Sequence, residues 1–204
     1  MMPHNNPEPD YIQYQNSYLL ADLDRSVSFM RIGIGWKGGQ FDGQKIDIDG
    51  SILLLDRHNQ TRHDQDFIYF NNLKSAQNEV IHHGDSLTGA GEGDDESIDI
   101  DLRALHFDVF QVHLIISFYQ PDQHEWDLSK VQNLYVRLCN NATQSEFARY
   151  MISEIPVNLT GCHAITALIL ERQGMDWVVR PEAIIHKNGL IDPASAAGLI
   201  IGAH

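Results

Sequence analysis

Residues 46–55 read IDIDGSILLL. Its first four positions alternate apolar and acidic, which on an extended chain puts Ile46 and Ile48 on one face and Asp47 and Asp49 on the other. The run that closes it, ILLL, is apolar on both faces. A strand with that pattern leaves a half-exposed region and enters a covered one. The same period recurs on either side. Ser28–Trp36 (SFMRIGIGW) and Ser97–Leu102 (SIDIDL) alternate, and Val109–Tyr119 (VFQVHLIISFY) is the most apolar strand candidate. Phe67–Asn71, Leu134–Cys139, Ala164–Leu170 and Trp177–Ile185 complete a set of about eight, rich in β-branched and aromatic residues. Gly174-Met175 separates the last two as a hairpin turn would. Short helices are expected only around Asp127–Gln132 and Pro193–Ile200. The expected fold is therefore all-β, a β-sandwich of about eight strands with one or two short helices. Residues 1–16, with three prolines and several asparagines, read as a flexible N-terminal arm before a single domain over residues 17–204.

Composition narrows the function. The 204 residues hold 28 acidic against 14 basic side chains, a formal net charge of −14. Such a chain repels nucleic-acid phosphates and anionic membrane surfaces. No apolar run reaches the length of a membrane span. The polar N-terminus has no signal-peptide pattern, so a cytoplasmic location is expected. Cys139 and Cys162 form no C-x-x-C pair, and two reduced thiols are expected.

Most of the acid lies in one window. Residues 84–101 read GDSLTGAGEGDDESIDID, with seven carboxylates and no Lys or Arg. Its first part, Gly84–Glu96, lacks helical or strand periodicity and reads as a loop tied at both ends. An acidic run is most often a solvated surface. Here Gly89, Gly91 and Gly93 interrupt the acids, and glycine permits turns that aim backbone carbonyls inward. Asp85, Glu92, Asp94, Asp95 and Glu96 add carboxylates and Thr88 a hydroxyl. Six to eight hard oxygen donors is what calcium takes; magnesium keeps more of its waters, and zinc wants His or Cys. An EF-hand does not fit, because aligning Asp47, Asp49 and Gly50 to that loop puts Lys45 where a carboxylate is required.

The pattern Asn71-Asn72-Leu73-Lys74-Ser75, then Val80, His82, Gly84-Asp85, Leu87-Thr88-Gly89 and Gly91-Glu92-Gly93-Asp94-Asp95-Glu96 resembles the signature of the TerD family of tellurium-resistance and stress-response proteins. Gly33-Ile34-Gly35-Trp36, Asp47-x-Asp49-x-Ser51, Gln132-Asn133 leading to Arg137, Phe147–Tyr150 and Ala167–Trp177 extend the likeness over residues 28–190. The resemblance implies a β-sandwich that binds two calcium ions near one end, a role in tellurite or general stress resistance, and no catalysis. It implies Asp47, Asp49, Asn71, Asp85, Thr88, Glu92, Asp94, Asp95 and Glu96 as the metal ligands, and other Ter-type proteins as partners. Residues 1–27, 119–127 and the tail after Gly189 depart from the family pattern.

Three enzymatic readings are weaker. Gly84-Asp85-Ser86-Leu87 spells GDSL, but the D-x-x-H that supplies the base and acid of such esterases occurs nowhere in the chain. Gly33–Gly38 matches G-x-G-x-x-G, yet no helical pattern follows to receive a pyrophosphate. A metal-dependent hydrolase, in which bound cations activate water, is the third. A calcium-gated interaction module is the remaining alternative. The eleven histidines are scattered and give no metal-binding pair on a helix.

Overall fold

The computed structural model describes residues 8–37, 40–41, 44–45, 47–85, 94–118 and 127–200. Two six-stranded sheets pack face to face. The first holds β1 (Asp10–Tyr11), β3 (Phe29–Lys37), β8 (Val80–Asp85), β9 (Glu96–Asp101), β11 (Gln132–Asn140) and β12 (Ser145–Met151), in the order β1-β12-β11-β3-β9-β8. The second holds β2 (Tyr18–Leu19), β6 (Ile48–Leu55), β7 (Phe67–Ile68), β10 (Gln111–Phe118), β13 (Ala164–Gln173) and β14 (Asp176–His186), in the order β2-β14-β13-β10-β6-β7. A small ribbon, β4 (Gln40–Phe41) with β5 (Gln44–Lys45), follows β3. The helices are α1 (Leu20–Leu23) and α2 (Ile191–Ala196), with one-turn 3-10 helices at Asp64–Asp66, Leu128–Lys130 and Ile152–Glu154. The all-β sandwich expected from the sequence is the fold observed.

Alternation builds the core. Met30, Ile32 and Ile34 of β3, Ile98 and Ile100 of β9, and Leu134, Val136 and Leu138 of β11 point inward. They meet Ile48, Ile52 and Leu54 of β6, Val112, Leu114 and Ile116 of β10, and Trp177 and Val179 of β14. The apolar run of β6 has the cause the sequence suggests. Leu53 and Leu55 face away from this core into a second cluster with Phe67, Ile115, Ala164, Ala194 and Ala197, where α2 covers the outer face of the second sheet. Gly174 takes a left-handed φ of 63° in the two-residue β13–β14 turn, which pairs Gln173 with Asp176.

The structure differs from the sequence expectation at three places. Part of the segment read as a flexible arm is ordered: Asp10–Tyr11 pairs in parallel with Ala148–Arg149, and Ile12 is buried. Residues 1–7 lie outside the described residues. β8 and β12 carry no clear alternation and were not expected. The first of these takes Gly84 and Asp85 out of the expected loop and into a strand. The expected helix at Asp127–Gln132 is a single 3-10 turn, capped by the Asp127 carboxylate accepting from the Ser129 N–H at 3.0 Å. Cys139 and Cys162 are both buried free thiols. Among the described residues no helix is long and apolar enough to cross a membrane.

Candidate functional site

The acidic residues gather at one end of the sandwich because of strand register. β6 begins there at Ile48, β9 begins there at Glu96, and Asp85 at the end of β8 pairs with Glu96. Leu73 O accepts from His82 N at 2.8 Å, so the chain around Asn71–Leu73 runs beside the end of β8. Asp47, Asp49, Asn71, Asp85, Asp94, Asp95 and Glu96 thus belong to one pole. Thr88 and Glu92 lie outside the described residues, as does the Ser86 of the GDSL string.

Gly50 ties the two sheets together at this pole. β7 pairs only with Ile52 and Leu53, so β6 at Gly50 has no strand on that side. Side chains take the place of one. The Glu96 carboxylate accepts from the Gly50 N–H in a short, buried hydrogen bond. The His82 ring bonds the Gly50 carbonyl through Nε2 at 2.9 Å. His82 Nδ1 accepts from the Gly84 N–H at 2.8 Å, so Nε2 carries the proton and donates to Gly50 O. Glycine leaves room for this packing. A Cβ on residue 50 would overlap the Ile34 side chain and crowd Glu96. His82 and Glu96 are both almost completely buried and stand 3.8 Å apart.

The neighbouring acids also hold protein partners. Asp94 forms a two-pronged ion pair with Arg137, with Nη2 to Oδ2 at 2.8 Å. Its carboxylate lies flat on β3 over Gly33, where any Cβ would displace it. Arg137 is held further from deprotonation by that hydrogen bond, although burial acts in the opposite sense. Asp95 N donates to Ile34 O at 2.9 Å, and Asp95 Oδ2 accepts from Trp36 N at 3.1 Å. The return of the acidic window into β9 is therefore pinned along β3. Asp49 is buried on the outward side of β6, and Asp47 is exposed. Asn71 is exposed in the turn after β7, where its neighbour Asn72 donates to Phe67 O at 2.6 Å.

Charge pairing continues over the outer face of the first sheet. Arg31 grips Asp99 through Nε and Nη2 at 2.7 and 2.9 Å, and His83 Nε2 reaches the same carboxylate at 2.8 Å. Burial pushes the Asp99 carboxyl up, but the bonds from Arg31 and His83 outweigh it and leave its pKa below the usual carboxylate range. Arg137 also approaches Glu146, which Arg149 holds at 2.6 Å. A cleft of about 330 Å³ opens over this face, floored by Arg31, Arg137 and Cys139 and rimmed by Asp94 and Glu96. Its lining carries two arginines and two carboxylates, so its charges are near balance.

Among the described residues, no group of three His, Cys, Asp or Glu side chains is placed to hold a metal ion. The acids brought together among the described residues are supporting ones: Asp94, Asp95 and Glu96 pin the chain to β3, β6 and β11 where it enters β9. Sequence reasoning marked the acids but missed Arg137, His82, Gly33 and Gly50 as their supports. The glycines carried a signal, since glycine inside a strand marks a close approach of other groups. The G-x-G-x-x-G string is explained the same way: β3 continues through it to Lys37, and the β4–β5 ribbon follows rather than a helix.

Comparison with known proteins agrees with this framework. A family model described as the TerD domain matches residues 13–192. The tellurium resistance protein TerD of Serratia marcescens is 36% identical over 183 residues, covering 88% of this chain and 92% of that protein. General stress protein 16U of Bacillus subtilis (strain 168) is 31% identical over 184 residues, 90% and 94% of the two chains. The crystal structure of a TerD homologue from Streptomyces coelicolor A3(2) superposes with a TM-score of 0.64 at 15% identity, covering 81% of this chain and 94% of that one, which is a likeness of fold. With its domain match spanning most of the sequence and its relatives aligned almost end to end, this chain belongs to the TerD family.

Proposed function

We propose that the protein is a calcium-binding, non-catalytic member of the TerD family that acts in the cytoplasm in tellurite or general stress resistance. The observation that carries this reading is that the β6, β8 and β9 registers bring the chain positions of Asp47, Asp49, Asn71, Asp85, Asp94, Asp95 and Glu96 to one end of the sandwich. Between Asp85 and Asp94 the chain supplies Thr88, Glu92 and three glycines. So many carboxylates held together repel one another, and a divalent cation relieves that repulsion. The ligand set is drawn from Asp47, Asp49, Asn71, Asp85, Thr88, Glu92, Asp94, Asp95 and Glu96, with two ions the expected number. Asp94 and Glu96 already hold Arg137 and Gly50, so their first role is to fix the chain at the start of β9. When bound, calcium supplies charge neutralisation and order. Names of relatives, tellurium resistance protein TerD and general stress protein 16U, support the physiological setting. Other Ter-type proteins are the proposed partners.

Isothermal titration of the chelator-stripped protein with calcium chloride tests the reading. Saturable binding of two ions, strongly weakened in Asp85→Ala/Glu92→Ala, is expected. Absence of heat at millimolar calcium removes the proposal.

A further inference from the structure

At the end of the sandwich opposite the acidic pole, a cleft of about 400 Å³ opens between α1, the end of β9 and the β13–β14 hairpin. Its wall is about half apolar, and Leu20, Val27, Leu102 and Trp177 supply that part. Three arginines line it, Arg25, Arg103 and Arg172, against two carboxylates, Asp24 and Asp176. Both carboxylates are engaged. Asp24 accepts from Ser26 and Asn140, and Asp176 accepts from the Trp177 N–H.

Arg172 differs from the partly buried arginines that hold a carboxylate, whereas the exposed Arg103 lies 3.9 Å from Asp101. Arg31, Arg62, Arg137 and Arg149 each sit on a carboxylate. Arg172 has only neutral partners: Nε donates to Val109 O at 2.8 Å, Nη2 to Leu105 O and His106 O at 3.3 and 3.2 Å, and the guanidinium lies 4.4 Å from the Trp177 ring centre. Nη1 has no acceptor among the described residues. Burial without a counter-charge lowers its pKa, the reverse of the shift at Arg31, Arg62, Arg137 and Arg149. Buried charges in proteins are ordinarily paired, so a half-buried cation at the floor of a concave, partly apolar cleft is electrostatically incomplete.

We propose that this cleft binds a small organic anion. Its carboxylate or phosphate group sits on Arg172 Nη1, with Arg25 and Arg103 closing over it, and its apolar body lies against Leu20, Val27, Leu102 and Trp177. The volume falls in the range of small-molecule pockets. The net charge of −14 does not forbid this. β3 alone separates the two poles by nine residues, about 30 Å at the strand rise, and charges more than about 8 Å apart are screened at physiological salt. The inference is independent of calcium binding.

The test uses the full chain in EGTA at 50 mM salt. The probe is 8-anilinonaphthalene-1-sulfonate, an anion with an aromatic body, read by its own fluorescence and by quenching of tryptophan emission. Saturable binding of one probe per chain is expected. Arg25→Glu/Arg103→Glu changes two exposed side chains and should weaken it at least tenfold with the melting temperature unchanged. Phenyl phosphate and phenylacetate are the competitors, and whichever displaces the probe identifies the anionic group. Arg172→Lys keeps the charge but loses the carbonyl contacts, and should weaken binding less than the double reversal. Non-saturable binding, equal affinity in the double variant, or displacement by neither competitor would overturn the proposal.

Discussion

Replacing Glu96 by Ala in chelator-treated protein isolates the link between the sheets. The carboxylate is buried and accepts the Gly50 N–H, which no strand can satisfy because β7 ends before reaching it. Truncation leaves that donor without an acceptor in a dry site, a penalty of about 1–3 kcal/mol. The space vacated by the side chain adds roughly 1–2 kcal/mol of lost packing. The expected total is about 2–5 kcal/mol. Glu96→Gln keeps a carbonyl oxygen at the same reach and gives up only the charge, which strengthens a hydrogen bond about twofold. That variant should lose about 1 kcal/mol. Urea unfolding followed by tryptophan fluorescence measures both, with the slope checked for constancy. The informative quantity is the difference of about 1–4 kcal/mol between Ala and Gln, because both remove the charge and only one removes the acceptor. Equal losses, or an Ala variant within 1 kcal/mol of the parent, would refute the assignment of Glu96 as the acceptor that holds β6 to β9.

Gly33→Ala should cost about 1–3 kcal/mol by pushing the Asp94 carboxylate off β3, since the new methyl occupies its place; urea unfolding of this variant with no loss contradicts the packing described. A double-mutant cycle of Asp94→Asn and Arg137→Met should show a coupling of about 1–2 kcal/mol, above the value of an exposed pair because Asp94 is nearly buried; a coupling near zero would mean the two groups act independently. His113 is partly buried on the outer side of β10 near Arg180 and His186, and loss of solvent, then those charges, lowers its pKa to about 4. Its unfolded-state pKa is higher, so protons bind the unfolded chain preferentially. The stability that His113 contributes is complete above about pH 6.5 and is lost as pH falls toward 4, by at most about 3 kcal/mol. His113→Gln should remove that part of the acid slope in pH-dependent unfolding, and an unchanged slope would contradict it.

The sheets were legible because β3, β6, β9 and β10 carry period-two alternation with large apolar side chains, and the sandwich follows from burying those faces. β8 and β12 were hidden for a physical reason. The inward residues of β8 include His82, a polar ring whose place in the core depends on the backbone of Gly50, 32 residues away in sequence, and of the nearby Gly84. β12 buries the adjacent Phe147 and Ala148 together with Tyr150, and a bulge in its pairing with β11 breaks the period-two pattern, so its strand signal is weak. Asp10–Tyr11 becomes a strand only because β12 offers it an edge. The acids of the site could be read from residue type and spacing alone. Their division of labour could not, because the partner of Asp94 is 43 residues away and the register β11-β3-β9 alone brings Arg137 to it.

The account rests on the acidic pole being a calcium site, and thermal unfolding of the stripped protein with added calcium tests that most directly. At free calcium a hundredfold above the dissociation constant, binding to the folded state alone adds about 2.7 kcal/mol per site, which in a domain of this size raises the melting temperature by roughly 5–10 °C. The predicted result is a rise of that order with calcium, reversed by EGTA, smaller with equimolar magnesium, and abolished in Asp85→Ala/Glu92→Ala. A melting temperature indifferent to calcium up to 10 mM would contradict the central claim.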